Sequence, residues 1–194
     1  MKLRTEQDGR LRRITLASPE TRNFLDERLC ADLLEELRAA AADDATGAVL
    51  VDADGPVFCS GMDEEAGEDL FGIGHRISKP IVAAVKGVAV AAGVVLVANA
   101  HVVVAAQGTS FGLTDIREGK WSEPTFRAIA AAIGERRALE LCLTGRIFTT
   151  PDALAWGLVH VVAPAFELDD RATDIATALA NANPDAVRAA LRSP

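Results

Sequence analysis

Basic clusters are missing from this 194-residue sequence. Lysine and arginine number 20 against 28 aspartates and glutamates, a formal net charge of −8. That balance disfavours nucleic acids and anionic membrane surfaces as partners. Metal-ligand spacing is missing too, so no metal site is expected. Cys30, Cys59 and Cys142 lie far apart and cannot all pair, which points to reduced thiols and a cytoplasmic setting. The stretch Met1 to Arg13 is charged and holds no apolar run that could act as a signal peptide. No internal repeat or low-complexity linker divides the chain, so one domain over residues 1–194 is expected. Its apolar fraction, 49%, suffices for a real core.

One segment, Val88 to Ala106, is almost wholly apolar and nearly long enough to span a bilayer. Gly93, Asn99 and His101 interrupt it, and it ends in the β-branched run Val102-Val103-Val104. A buried helix followed by a buried strand fits that pattern better than a membrane span.

Strands are expected at Leu11–Ala17, Ala48–Asp52, Val57–Cys59, Ile81–Val85, Val102–Ala105 and Leu158–Val162, with Ser110–Ile116 extended. Asp26 opens a helix that carries Leu29, Leu33, Leu34 and Leu37 on one face. Further helices are expected at Ala91–Ala98, Thr125–Ile133, Glu135–Leu143, Pro151–Trp156, Asp169–Ala182 and from Pro184 onward. Ser18–Thr21 and Gly87–Val90 read as turns, and Asp63–Ser78 as an acidic loop with a short helix. Strands alternating with helices imply an α/β domain whose sheet is covered on both sides.

Two junctions carry the chemistry. Phe58-Cys59-Ser60-Gly61-Met62-Asp63 and Gly87-Val88-Ala89-Val90-Ala91-Ala92-Gly93 both place small residues where the chain leaves a strand. Small residues there let backbone approach a ligand closely. The second junction also opens a helix, whose first amides lack internal partners and carry the positive end of the dipole. Such donors can stabilise a developing oxyanion.

The order and spacing of these and other segments resemble the crotonase, or enoyl-CoA hydratase/isomerase, superfamily. The matching stretches are Ser18-Pro19-Glu20-Thr21-Arg22-Asn23-Phe24-Leu25, the Phe58–Asp63 junction, and Lys79-Pro80-Ile81-Val82-Ala83-Ala84-Val85-Lys86-Gly87. Phe111-Gly112-Leu113-Thr114-Asp115, Leu143-Thr144-Gly145-Arg146 and the Ala153–Val162 stretch with Gly157-Leu158-Val159 complete the set. The likeness runs from about Leu11 to Ala182.

That resemblance implies a spiral of βαβ units, assembled as a trimer or a dimer of trimers. It also implies an acyl-CoA thioester as substrate, with no separate cofactor, and an enolate held by two backbone amides. On the matching positions those amides belong to Met62 and Ala92. Where the family commonly has a run of glycines, this chain reads Ala91-Ala92-Gly93, and a methyl group there is tolerated if the backbone φ is negative.

The acid/base pair departs from the family pattern. The first of two family glutamates is replaced by Val95, which cannot transfer a proton, and the second by Asp115. Two-carboxylate hydration therefore looks disabled in its usual form, and the resemblance points to a one-base isomerase instead. Glu123, eight residues after Asp115, matches a catalytic aspartate in some dienoyl-CoA isomerases and a dehalogenase of the family. Glu118 is a weaker candidate on the same loop. Glu123 just before Pro124 also suits a plain helix start.

The chain is short between Met62 and Lys79 and after Ala182, where family members carry helices over the active site; the C-terminal helical region is therefore expected to be reduced. Glu64 and Glu65 place negative charge where CoA would approach. Asp63 and Arg22 lie at the substrate edge on the same matching. Two other readings stay open: a non-catalytic acyl-CoA-binding or auxiliary homologue, and an enzyme on a non-CoA 1,3-dicarbonyl or carrier-bound substrate. His101, His160 and His75 read as structural or solvated, Cys59 as a small buried thiol, and Trp121 and Trp156 as core or interface.

Overall fold

A computed structural model describes residues 2–63 and 68–192. The elements in chain order begin with β1 (Leu3–Asp8), β2 (Leu11–Leu16), α1 (Glu27–Ala42), β3 (Ala48–Ala53), α2 (Ile73–Arg76), β4 (Ile81–Val85) and β5 (Val88–Val90). They continue with α3 (Ala92–Asn99), β6 (Val102–Ala106), β7 (Ser110–Gly112), α4 (Glu123–Ile133), α5 (Glu135–Thr144), β8 (Ile147–Thr149), α6 (Thr150–Ala155), β9 (Val161–Ala163), α7 (Leu168–Ala180) and α8 (Pro184–Leu191).

The larger sheet runs β1-β2-β3-β4-β6-β9. Its β1–β2 pair is antiparallel, and the other neighbours are parallel. Parallel strands are buried on both faces, so both alternating sets of side chains must be apolar. Ala48, Leu50, Val82, Ala84, Val104 and Ala106 face one core. Val49, Val51, Ala83, Val85, Val103 and Ala105 face the other. Leu168, Ala172, Ala176 and Ala180 recur every four residues along α7 and close the first core. The small alanines let α7 approach closely: a Cβ on Gly47 would lie 2.1 Å from the Ala180 carbonyl oxygen. A smaller sheet, β5-β7-β8, stands apart and holds the site region. Among the described residues no helix is long and apolar enough to cross a membrane.

The α/β class and most helices follow the sequence pattern, but several features differ, among them the unexpected strand β8 and the helical turn Asp115–Glu118 at the end of the stretch read as extended. Val57–Cys59 is not a strand; it makes a single bridge, Cys59 to Ala89. Val88–Val90, read as a turn, is β5, since two β-branched valines find a partner in β7. The strand expected at Leu158–Val162 is shorter and shifted to Val161–Ala163. β1 escaped detection because only Leu3 of its six residues is buried, so no alternation marks it.

Trp121 is half-exposed and packs against Phe126, 5.7 Å between ring centroids. Trp156 sits against Phe148, with the guanidinium groups of Arg137 and Arg146 4.5 and 5.3 Å from its ring. Two histidines close strand ends in the same way. The His101 amide donates to Ile81 O at 2.8 Å, and the Ile81 amide donates back to His101 Nδ1 at 2.9 Å. His160 and Val103 repeat the exchange at 3.0 Å each way.

Candidate active site

The two small-residue junctions lie side by side. The Phe58 amide donates to Val88 O at 2.9 Å, and the Val90 amide donates to Cys59 O at 3.0 Å. Gly93 fits against this crossing because it has no side chain: a Cβ there would stand 2.5 Å from the Cys59 carbonyl oxygen. Gly61 adopts φ 132°, a region few other residues reach. A Cβ on it would be 3.9 Å from Ala91 Cβ, so the junctions touch at their tips as well.

The chain then exposes two amides. Met62 bridges Leu25 in parallel: the Leu25 amide donates to Gly61 O, and the Asp63 amide donates to Leu25 O, both at 3.0 Å. In a parallel bridge the central residue's own amide faces away from its partner. Ala92 is the first residue of α3, where no preceding turn supplies an acceptor. Among the described residues, neither the Met62 nor the Ala92 amide donates a hydrogen bond.

Ala91 sets the aim of the second amide. Its own amide is held by Gly112 O at 2.9 Å, and its carbonyl accepts from the amides of Val94 and Val95. The backbone between is at φ 49°, ψ −117°. The sequence expectation of negative φ at the substituted glycines is thus met at Ala92, inside the helix, and not at Ala91. A left-handed alanine stores strain of about 1–3 kcal/mol.

Met62 and Ala92 share a narrow cleft with Leu25, Leu70, Phe71, Val95 and Leu96. Among the described residues, no side chain lining it can ionise or hydrogen-bond strongly, so the two amides are the principal polar groups of that lining. Val95 is buried within this wall.

The candidate acids lie elsewhere. Asp115, half-buried on the single turn Asp115–Glu118, lines a separate depression with Ile116, Trp121, Thr125 and Cys142. Burial first, then the Asp115 charge, push the Cys142 thiol up to about 11. The β5–β7 pairing sets Val90 opposite Gly112, three residues before Asp115. Glu123 is exposed at the start of α4 and pairs with Arg127 at 2.9 Å. That hydrogen bond holds its carboxyl below the usual range. The cap itself is Ser122, whose hydroxyl accepts from the Thr125 amide. Glu118 is exposed and pairs with Lys120. Asp115 and Glu123 therefore do not share a cleft.

Arg22 is exposed and left-handed, φ 56°, closing the turn Pro19–Thr21. Asp63 is exposed beside Met62; Glu64 and Glu65 lie outside the described residues. His75 is exposed. His101 is largely buried, which lowers its pKa, and its ring also hydrogen-bonds the Gly74 backbone. Cys59 is fully buried, and desolvation pushes its thiol up to about 12. Among the described residues, no group of three His, Cys, Asp or Glu side chains could hold a metal ion.

Leu70 and Phe71 were not singled out in sequence, and Asn99 stood out only as a break in an apolar stretch. The first two fall in a weakly patterned loop. Asn99 is a lone amide in an apolar helix, and that contrast was the signal available.

The sequence profile of the enoyl-CoA hydratase/isomerase family matches residues 6–193. A mevalonyl-coenzyme A hydratase of Aspergillus fumigatus is 30% identical over 191 residues, covering 90% of this chain and 71% of that protein. The human mitochondrial enoyl-CoA hydratase domain-containing protein 3 is 32% identical over 190 residues, covering 90% and 62%. Among solved structures, an enoyl-CoA hydratase of Mycobacterium paratuberculosis superposes with a TM-score of 0.89 at 30% identity, covering 99% of this chain and 86% of its own.

Proposed function

This chain belongs to the enoyl-CoA hydratase/isomerase family, and from that premise we propose that it binds an acyl-CoA thioester with the carbonyl oxygen between the amides of Met62 and Ala92. The observation that carries this reading is the pair of unengaged amides opening on one apolar cleft. In a water-poor pocket such donors act at low dielectric and cost no reorganisation as charge develops.

The thioester carbonyl withdraws electrons from the α-carbon, and the two amides lower the energy of the enolate formed when an α-proton leaves. Asp115 is the base in this reading, because the Val90–Gly112 pairing and the Ala91–Gly112 bond tie its strand to the oxyanion helix. Val95 occupies the cleft wall, so hydration by a carboxylate pair is replaced by proton movement with one base. Glu123, bound to Arg127 in solvent, assists only if α4 shifts. Asp63 and Arg22 stand at the edge where CoA enters. The exposed side chains of Leu139, Leu143, Ile147 and Leu154 support assembly with further copies of the chain, as a trimer or a pair of trimers.

The test is α-proton exchange. Butyryl-CoA incubated with the protein in deuterium oxide gains deuterium at the α-carbon, and Asp115→Asn slows this by at least about a hundredfold while leaving thioester binding intact. Undiminished exchange in the variant removes Asp115 from the mechanism. A second reading, thioester binding without turnover, is favoured by the apolar side chains that line the cleft among the described residues. Tight binding with no exchange in the wild-type protein selects it.

A further inference from the structure

One wall of the cleft is built by Leu70 and Phe71, which lie on the turn Glu68–Gly72 just before α2. Neither the turn nor the four-residue α2 is long enough to hold itself in place, since a helix of one turn is unstable without tertiary ties. The surface ties are weak. Asp69 pairs with Arg38 at 2.8 Å and with Arg76 at 3.2 Å, all three about half-exposed, and exposed pairs contribute little.

The strong tie is buried and comes from Asn99, the last residue of α3 and only 8% exposed. Its Oδ1 accepts from the Gly74 amide at 3.0 Å. Its Nδ2 donates to Phe71 O at 3.2 Å and to Val95 O at 3.0 Å. One side chain thus joins the wall on both sides of Gly72 to the helix that begins at Ala92. The backbones also meet directly: a Cβ on Gly74 would be 2.2 Å from Asn99 O, so only glycine permits this approach. His101, two residues on, holds the Gly74 backbone as well.

We propose that Asn99 is a positioning residue that sets the width of the acyl cleft and so restricts it to short, unsubstituted acyl chains. This rests on the reading of the cleft as the thioester site. The cleft is nearly closed, with free space on the order of a single water molecule. Its wall cannot retreat while the Phe71 carbonyl and Gly74 amide are pinned to α3. Against the described lining residues, a hydroxyl or second carboxylate on the acyl chain would meet apolar side chains and lose its hydration uncompensated.

The test is a chain-length series by calorimetry, with acetyl-, butyryl-, octanoyl- and dodecanoyl-CoA, on the wild-type protein, Asn99→Ala and Asn99→Asp. Asp keeps the acceptor for Gly74 and loses the donor to Phe71, so it carries the test if the alanine variant does not fold. The expected result is a wild-type preference for butyryl- over dodecanoyl-CoA that shrinks by about tenfold in the variants, as expected when a buried tie is lost. Phe71→Ala, which widens the same wall directly, shifts the preference the same way. Equal weakening of all four thioesters, or no change in their ranking, assigns Asn99 a purely structural role and overturns the inference alone. Failure of the wild-type protein to bind any of the four overturns the thioester reading and the inference together.

Discussion

Replacing Ala91 with glycine should make the protein more stable, and the size of the gain follows from the geometry. Ala91 stands at φ 49°, ψ −117°, a conformation that costs a non-glycine residue about 1–3 kcal/mol. Glycine removes that cost but loses about 0.5–1 kcal/mol through the greater freedom of the unfolded chain. The half-buried methyl group contributes at most about 0.8 kcal/mol of burial. The balance is a stabilisation of roughly 1 kcal/mol, or about 2–4 °C in melting temperature for a domain of this size. Urea unfolding followed by tryptophan fluorescence, at one protein concentration, measures it. Affinity for butyryl-CoA should be retained, because the amide of Ala92 keeps its aim. Destabilisation by Ala91→Gly would refute the reasoning: it would mean that alanine is at ease there, and that the backbone turns some other way into α3.

Gly93→Ala tests the contact between the two junctions; its Cβ would press on the Cys59 carbonyl, so a loss of about 1–3 kcal/mol is expected on unfolding in urea. All three cysteines are buried, and desolvation raises their thiols to about 11 or 12. At pH 8 the native protein should therefore leave a thiol-exchange reagent almost unconsumed, and the urea-unfolded chain should react at all three. His101 has a pKa below its ordinary value of about 6.5, first through burial and then through nearby His75. The unfolded chain then takes up a proton before the folded one does, so this contribution is complete above about pH 6.5 and shrinks as pH falls through the folded value. Urea unfolding at pH 7.5 and 5.5 should show that loss in the wild-type protein and a smaller one in His101→Asn, which retains an acceptor but no titrating ring.

The features legible in the sequence were those with local signatures. Asp26 before a leucine-faced α1, the apolar runs of β3, β4 and β6, and the small residues at Gly61 and Gly93 each state their structure within a few positions. What stayed hidden depends on distant partners. Val88–Val90 reads as a turn until β7 pairs with it, and β1 has no buried face to show. The site divides in the same way. Met62, Ala92 and Val95 were marked by their matching positions, and the fold brings them to one cleft. Asp115 and Glu123 lie close in sequence, yet one enters a depression beside Cys142 and the other pairs with Arg127 in solvent. The wall made by Leu70 and Phe71 has no periodicity of its own, because Asn99 supplies the order from another element.

The central claim is that the amides of Met62 and Ala92 hold the thioester carbonyl, and amide proton–nitrogen correlation spectra report it directly. On titration with butyryl-CoA, the amide protons of Met62 and Ala92 should both move downfield and saturate together at the calorimetric affinity, as donors entering hydrogen bonds do. Saturable binding with these two resonances unmoved would place the carbonyl elsewhere and contradict the account.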